Sequence, residues 1–379
     1  MMVSFIFPPT LVPPSVPSGL DRIQAFLKKR GLDALLITKP ENRRYLSGFV
    51  AEEQGIEESA GVLLIPGRGR PFLLTDFRFQ LDAESQAPAF EVIIYKKGLL
   101  PLLGKILPRL GIRRLGFESH YVLYSTAQDL GRMANRLAIE LVPLLGVVEK
   151  IRTRKSEEEL IKIHDAVALN EEVFGEVFGS LRPGQTEREV ASRIETVMSE
   201  KGADGPSFPP IVAAGLNAAS PHAIPTARPI KKGETVVIDM GVRLHGYCSD
   251  MTRTVVLGRP DDKTIELFRL VRRAQLAGMA AIRAGVKARD VDRAARRIIA
   301  AAGYGDFFGH SLGHGVGLAV HEAPSLNRRS KKVLAPHMVV TVEPGVYIPG
   351  WGGIRLENMV VVEKDGCRLL NKDTTFLDL

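Results

Sequence analysis

The sequence predicts two domains, an α/β domain with a mixed sheet followed by a pseudo-symmetric α+β domain. Its 379 residues exceed the roughly 150 residues of one typical domain. Strand-like and helical segments alternate in residues 20–146, as they do in α/β domains. In residues 150–379, two helices followed by extended segments occur twice, which indicates helices packed on one face of an antiparallel sheet.

Local patterns place the elements of the first domain. Apolar residues at helical spacing from Leu20 to Leu27 predict a helix that stops at Gly31. Strands are predicted at 34–37, 61–65, 71–75, 92–95, 114–117 and 139–142, and further helices at 99–110 and 123–135. Residues 1–19 are apolar but proline-rich, and we expect a disordered or loosely packed leader there.

Two capping boxes open the second domain. Ser156 with Glu159, and Thr186 with Glu189, each predict the start of a helix. Extended segments follow at 211–214, 235–242 and 247–257. The order then repeats, with helices predicted at 262–284 and 288–302 and strands at 339–342, 346–348 and 354–362.

Composition excludes several classes of protein. The net charge is +8, but the excess is spread evenly, so we expect no nucleic-acid partner. Apolar runs fall short of the 18 or so residues of a membrane span, so we expect no membrane association. Two cysteines, Cys248 and Cys367, provide no disulfide framework, and a reducing, cytoplasmic location is the simpler assumption.

Two aspartates carry the first chemical signal. Asp239 ends an apolar strand and Asp250 follows eleven residues later. If the strands fold back around Leu244 and His245, the two carboxylates are directly opposed, about 5 Å apart. Carboxylates this close ionise together only with a cation between them. A pair of surface or turn aspartates is the alternative.

Histidines and glutamates follow later in the chain. His310, His314 and His321 all fall inside one glycine-rich segment of twelve residues. This clustering favours metal binding or acid–base chemistry over a structural role. Glu343 and Glu357 each lie in or at the end of an apolar strand, where an acid is expected to be paired or bound to metal. His222 lies in a rigid proline-framed loop.

The candidate ligands are four carboxylates and one imidazole: Asp239, Asp250, His314, Glu343 and Glu357. Four negative charges balance two divalent cations. An oxygen-rich donor set suits Mn²⁺ or Co²⁺ better than a structural zinc site.

These motifs carry a family resemblance. The aspartate pair, the segment His-Ser-Leu-Gly-His-Gly-Val-Gly (310–317), Val-Glu-Pro-Gly (342–345) and Gly-Ile-Arg-Leu-Glu-Asn (353–358) occur in this order. The chain resembles the Xaa-Pro aminopeptidase and prolidase branch of the pita-bread metallopeptidases, a superfamily that includes creatinase and methionine aminopeptidase. The resemblance implies an α+β pita-bread catalytic domain after a smaller α/β domain like that of creatinase.

The resemblance also implies how the ligands divide two metal ions. Asp239 would chelate one ion, and His314 and Glu343 would hold the other. Asp250 and Glu357 would bridge the pair. The ions, Mn²⁺ first and Co²⁺ or Zn²⁺ as alternatives, would lower the pKa of a water molecule between them.

Further roles follow from the same resemblance. Glu343 would take up and relay the proton of the attacking water. His222 and His321 would bind substrate and stabilise the oxyanion, while His310 would shape the pocket. Arg355 would orient a bridging carboxylate.

Substrate choice within the family depends on residue 325. Prolidases commonly have an arginine after His-Glu-x-Pro to bind the free carboxylate of a dipeptide, whereas this chain has Ser325 after residues 321–324. We therefore expect an Xaa-Pro aminopeptidase, with a prolidase as the alternative because Arg328 or Arg329 could compensate. A non-catalytic peptide-binding relative would have lost ligands that are present here. The implied partners are short proline-containing peptides and a second copy in a homodimer.

Overall fold

Local sequence signals set the first element of the fold. In the computed structural model, which describes residues 18–53 and 55–373, Ser18 and Asp21 form a capping box and the first helix begins at Gly19. The remainder of the predicted leader, residues 1–17, lies outside the described residues. The chain divides into two units, Met1–Ile151 and Arg152–Leu379.

Strands and helices alternate through the first unit. The strands are β1 (Ala34–Ile37), β2 (Val62–Pro66), β3 (Phe72–Thr75), β4 (Glu91–Ile94), β5 (Arg114–Glu118) and β6 (Glu140–Leu144). The helices are α1 (Gly19–Arg30), α2 (Pro40–Ser47), α3 (Gln80–Gln86), α4 (Leu99–Arg109), α5 (Tyr124–Arg136) and α6 (Val147–Arg152).

The sheet of the first unit is mixed, as predicted. Its strand order is β4-β3-β2-β1-β5-β6, with antiparallel pairing around β2 and parallel pairing at β3–β4, β1–β5 and β5–β6. Neighbouring residues of β1 enter different cores, because successive side chains of a strand point to opposite faces. Leu35 packs with Ile23 and Leu27 of α1, whereas Leu36 packs with Leu103 of α4.

The second unit contains helices α7 (Glu157–Ser180), α8 (Glu187–Glu200), α9 (Asp262–Ala280) and α10 (Ala288–Ala301). Its first group of strands is β7 (Gly205–Pro206), β8 (Ile211–Ala214), β9 (Thr235–Met240), β10 (Val242–Leu244), β11 (Tyr247–Cys248) and β12 (Met251–Val256). The second group is β13 (Gly313–Gly315), β14 (Glu322–Leu326), β15 (Val339–Val342), β16 (Gly345–Ile348), β17 (Gly352–Arg355), β18 (Asn358–Val362) and β19 (Cys367–Leu369).

Both capping boxes predicted from the sequence are present, at Ser156 and Thr186. Helices α7 and α8 share an apolar core with β8, β9, β10 and β12, and helices α9 and α10 share another with β14–β18. The described strand pairs of this unit are antiparallel. The predicted pseudo-symmetric α+β architecture is confirmed. No helix in the described ranges is long and apolar enough to cross a bilayer.

The predicted pairing of Asp239 with Asp250 is wrong by two residues. Asp239 is opposed by Thr252, because the hairpin turns at His245 and Gly246, one residue later than predicted. Both turn residues have positive φ, 52° and 78°, which is the geometry of a two-residue hairpin turn. Despite this shift, Asp250 and Asp239 both line one cavity.

The antiparallel ribbons change sheet partners midway. Gly241 separates β9 from β10, and residues 249–250 separate β11 from β12. Residues 343–344 and 356–357 likewise interrupt the second pair of ribbons. The predicted strands 235–242, 247–257 and 354–362 are therefore each divided in two. The breaks place Asp250, Glu343 and Glu357 outside the regular ladders.

Gly313 tests how closely the strands pack. A Cβ atom there would overlap the carbonyl oxygen of Thr341 on β15, so we expect Gly313→Ala to lower the free energy of unfolding by about 1–3 kcal/mol or more. Gly175 is exposed within α7 with open space around it, so Gly175→Ala should raise that energy by about 0.5–1 kcal/mol. Urea unfolding measures both changes, and equal stability of the two variants would contradict the packing argument.

Candidate metal centre

A cavity of about 590 Å³ in the second unit brings the predicted site residues together. Its lining includes Asp239, Asp250, His222, His310, His314, His321, Glu343, Arg355 and Glu357. The remaining wall is largely apolar and includes Phe208, Pro209, Pro210 and Ile224. Residues more than a hundred positions apart thus converge on one concave surface, which is the usual form of a small-molecule site.

The floor of the cavity is a cluster of acids around one imidazole. Asp250, His314 and Glu357 each offer a ligand atom, and these atoms lie within 4.8 Å of one another. The Nε2 atom of His314 lies 3.2 Å from Oε1 of Glu343 and 3.5 Å from Oδ2 of Asp250. The breaks between strands allow these side chains to leave the two sheets toward a common point.

Burial and mutual repulsion dominate the electrostatics of two carboxyl groups. Burial, followed by the charges of Glu357 and Asp239, raises the pKa of Asp250 well above its usual value. Burial and the charges of Glu343 and Asp239 raise the pKa of Glu357 in the same way. Both groups resist ionisation in the metal-free protein.

His314 and Glu343 form the favourable pair of the cluster. Burial opposes ionisation of both, but the hydrogen bond and charge of His314 hold the pKa of Glu343 below its usual value. Burial likewise works against the charged imidazole, yet Glu343 and then Glu357 raise the pKa of His314 to about 9. At neutral pH Glu343 is therefore a carboxylate.

The cluster fits divalent metal ions. Oδ1 of Asp239 and Oε1 of Glu357 are buried, with no hydrogen-bond partner among the described residues. Unpartnered buried oxygens are costly unless a ligand occupies them. Together with the repulsion around Asp250, they indicate a site shaped for divalent cations.

Two threonines and an arginine hold the acids in place. Thr252 donates to Oε2 of Glu357 at 2.8 Å, and Thr341 donates to Oε1 of Glu343 at 3.1 Å. Arg355 donates to Oδ2 of Asp239 at 2.6 Å. Arg355 thus contacts directly the acid expected to chelate one metal. It also donates to the Thr252 hydroxyl at 3.0 Å and so reaches Glu357, an acid expected to bridge the pair, through that threonine.

A hydrogen-bonded chain links Arg355 to His310 through Tyr347, a residue that the sequence analysis missed. Arg355 donates to the Tyr347 hydroxyl at 2.7 Å, and that hydroxyl lies 2.9 Å from Nε2 of His310. Nδ1 of His310 faces the carbonyl oxygen of Ser311 at 2.8 Å and must donate to it. Burial lowers the pKa of His310 and raises that of Tyr347 to about 12, so the phenol donates to a neutral imidazole.

His222 and His321 lie at the exposed edge of the cavity. The ring of His321 is 4.3 Å from that of His314, measured between centroids. Partial burial, and then the positive charge of His314, lowers the pKa of His321. The rim therefore offers imidazole groups above a buried acidic floor.

Buried glutamates support both rim histidines and were also missed. Glu187 is fully buried and accepts hydrogen bonds from the backbone amides of Ala214 and Thr226, which flank the His222 loop. Glu322, next to His321, accepts from Arg152 and Lys155, both at 2.6 Å. In the sequence Glu187 is only the first residue of a capped helix, and the cations that reach Glu322 lie more than 160 positions earlier.

Two protein-family models match the chain. The model of metallopeptidase family M24 matches residues 161–364, and that of the creatinase/prolidase N-terminal domain matches residues 20–154. The Xaa-Pro dipeptidase of Pyrococcus horikoshii is 35% identical over 351 residues, covering 93% of this chain and 96% of the relative.

Solved structures show the same fold. That of the Xaa-Pro dipeptidase from Bacillus anthracis has a TM-score of 0.87 and 38% identity, covering 94% of this chain and 98% of that chain. That of the X-Pro aminopeptidase from Thermotoga maritima has a TM-score of 0.83 and 34% identity, covering 91% and 96%.

The acidic cluster predicts a trade between stability and metal binding at Asp250. In EDTA, Asp250→Asn should raise the midpoint of thermal unfolding, because it removes a carboxyl group whose ionisation is opposed by burial and by neighbouring carboxylates. A raised pKa means that the folded state holds the proton more tightly than the unfolded state, so stability falls as pH rises. The gain should therefore be larger at pH 8 than at pH 5.

Adding Mn²⁺ completes this test. The midpoint of the unsubstituted protein should rise with Mn²⁺, and that of Asp250→Asn should rise much less. Asp365→Asn, in the exposed turn between β18 and β19, is the matched control and should behave like the unsubstituted protein. An Asp250→Asn variant that is less stable in EDTA, or that gains fully from Mn²⁺, contradicts the argument.

Proposed function

Because the chain belongs to metallopeptidase family M24, we propose that it is a dinuclear-metal Xaa-Pro dipeptidase, which hydrolyses the bond between a first residue and a terminal proline. The chain is a metallopeptidase of the Xaa-Pro type with a pita-bread catalytic domain. The observation that carries the proposal is the convergence of four acids and His314 on the floor of one cavity.

The sequence analysis favoured an Xaa-Pro aminopeptidase, whereas the proposal made here is a dipeptidase. The relatives from Pyrococcus horikoshii and Bacillus anthracis are named Xaa-Pro dipeptidases, and they support the alternative better than the aminopeptidase. Ser325 lines the cavity, and its hydroxyl can donate to a substrate carboxylate.

An Xaa-Pro aminopeptidase remains the second candidate because of one observation. Of the described residues lining the cavity, Arg355 is the one arginine or lysine, and it already contacts Asp239, Tyr347 and the carbonyl oxygen of Pro221. A dipeptide carboxylate would thus meet Ser325 without a free arginine beside it. The Thermotoga maritima relative is named an X-Pro aminopeptidase.

Two divalent ions, Mn²⁺ by preference, are proposed as the cofactors. Asp239 would hold one ion, His314 and Glu343 the other, and Asp250 and Glu357 both. Such a pair polarises a carbonyl oxygen and makes hydroxide available at neutral pH.

The chain's own groups would handle protons and substrate. Glu343, with its pKa held low by His314, is ionised and can accept the proton of the attacking water. His222 and His321, which line the exposed rim, would donate to the substrate carbonyl oxygen as negative charge develops. The cavity wall of Phe208, Pro209 and Pro210 gives an apolar surface for the pyrrolidine ring of proline.

We also propose that the protein is a homodimer and that it is located in the cytoplasm. The resemblance supports a homodimer, and Cys248 and Cys367, which carry thiols and no disulfide, are compatible with a reducing, cytoplasmic compartment. Short proline-containing peptides are the proposed partners. Light scattering of the purified protein measures the first of these properties.

Peptide length is the first functional test. With Mn²⁺ present, Ala-Pro should be cleaved with a kcat/KM at least about tenfold above that of Ala-Pro-Ala, because the Ser325 hydroxyl would donate to the free carboxylate of the dipeptide. Ala-Ala serves as the control for proline and should be a poor substrate. Faster cleavage of Ala-Pro-Ala would replace the dipeptidase with the aminopeptidase, and cleavage of neither would refute both.

Removal of one ligand is the second functional test. Glu357→Ala should lose bound metal and reduce kcat by at least about a hundredfold, since the remaining acids cannot hold the pair. Elemental analysis and peptide hydrolysis measure the two effects. Glu363→Ala, at an exposed position six residues later, should change neither. Near-normal activity of Glu357→Ala would remove Glu357 from the proposed site.

A further inference from the structure

The segment that carries His310 has no regular secondary structure of its own. Residues 308–312 connect a short 3-10 helix to β13, and His310 lies in the cavity wall between them. An irregular segment holds a side chain firmly only where other groups fix its backbone. The amide of Leu312 donates to the carbonyl oxygen of Leu326 at 2.9 Å, and its carbonyl oxygen accepts from the amide of Glu343 at 2.8 Å. Further groups come from α10.

An ion pair on α10 forms hydrogen bonds with main-chain atoms before and after the His310 side chain. Asp292 and Arg296, one helical turn apart, form two hydrogen bonds of 2.9 and 2.7 Å. Arg296 also donates to the carbonyl oxygens of Phe308 and His310, each at 2.7 Å. Asp292 accepts from the amide of Leu312 at 3.2 Å.

Aromatic packing strengthens the same contact. The guanidinium of Arg296 lies 4.0 Å from the centroid of the Phe308 ring, and Phe308 is fully buried. That ring and the imidazole of His310 form a T-shaped contact, with the centroids 5.0 Å apart and the planes at 82°. Arg296 therefore supports His310 through the backbone and through Phe308.

A second ion pair on the same helix shows what is unusual here. Arg293 and Asp290 are also one turn apart, but their side chains are 51% and 39% exposed. Exposed pairs of this kind contribute little to stability. The side chains of Arg296 and Asp292 are only 12% and 1% exposed, and such burial is costly unless the charges are fully engaged.

We propose that Asp292 and Arg296 are positioning residues that hold His310 against Tyr347 in the wall of the peptide pocket. The proposal rests on the proposed peptidase function, because it assigns the pair to the reaction of that pocket. His310 meets the Tyr347 hydroxyl, which Arg355 also contacts, so a shift of residues 308–312 would disturb the chain of contacts that ends at Asp239. Displacements of about 1 Å in such positions can cost a hundredfold in rate.

Arg296→Lys is the informative variant. Lysine keeps the positive charge beside Asp292 but cannot donate to two carbonyl oxygens and the carboxylate in one plane. We expect kcat/KM for a cleaved Xaa-Pro peptide to fall between about 10- and 100-fold, with bound metal unchanged. Arg293→Lys is the matched control and should retain full activity.

A double-mutant cycle with His310→Ala separates positioning from general stability. If Arg296 acts through His310, Arg296→Lys should cost at most about threefold in the His310→Ala background. Equal losses in both backgrounds would overturn the proposal, as would full activity of Arg296→Lys. Asp292→Asn, which keeps an acceptor for Leu312 but loses the charge, should show the same coupling, and its absence would count against the pair.

The same measurements keep the two proposals apart. A protein that cleaves neither Ala-Pro nor Ala-Pro-Ala refutes the proposed function. An active protein whose Arg296 and Asp292 variants match the Arg293→Lys control refutes only the positioning role.

Discussion

Repulsion among buried carboxylates is the constraint on which the catalytic unit depends. Asp250 and Glu357 sit where burial and neighbouring acids oppose their ionisation. A folded chain keeps such an arrangement only when the rest of the structure holds the groups in place. The capped helices α7 and α8, the second helix pair and two apolar cores supply that support, and the strain becomes useful when divalent ions replace the missing counter-charge.

The broken ribbons explain how acids reach the cavity from an antiparallel fold. In a continuous strand, side chains alternate between a core face and the opposite face. Each ribbon here instead changes sheet near residues 241, 250, 343 and 357, and the acids lie at or beside these points. Thr252 and Thr341, in the adjoining regular strands, then orient Glu357 and Glu343. The regular strands hold the site rigidly, and the breaks between them let the acidic side chains point into the cavity.

Local signals were readable in the sequence, and long-range geometry was not. Ser156 and Thr186 cap their helices as predicted, because a capping box needs only four consecutive residues. The hairpin was misplaced because its turn depends on positive φ at His245, which composition does not reveal. Tyr347 was missed for a different reason: its role comes from Arg355 and His310, and spacing along the chain encodes neither contact.

The hydrogen bonds from α10 to main-chain atoms have a consequence for laboratory evolution of this pocket. Asp292 and Arg296 bind carbonyl and amide groups of the main chain, so the side chains at 309 and 311 take no part in these hydrogen bonds. A Cβ at Gly309 would meet open space, and Ser311 already faces the cavity. Ser311, which lines the cavity, can therefore be varied to reshape the pocket wall while the hydrogen bonds from α10 to the main chain around His310 remain.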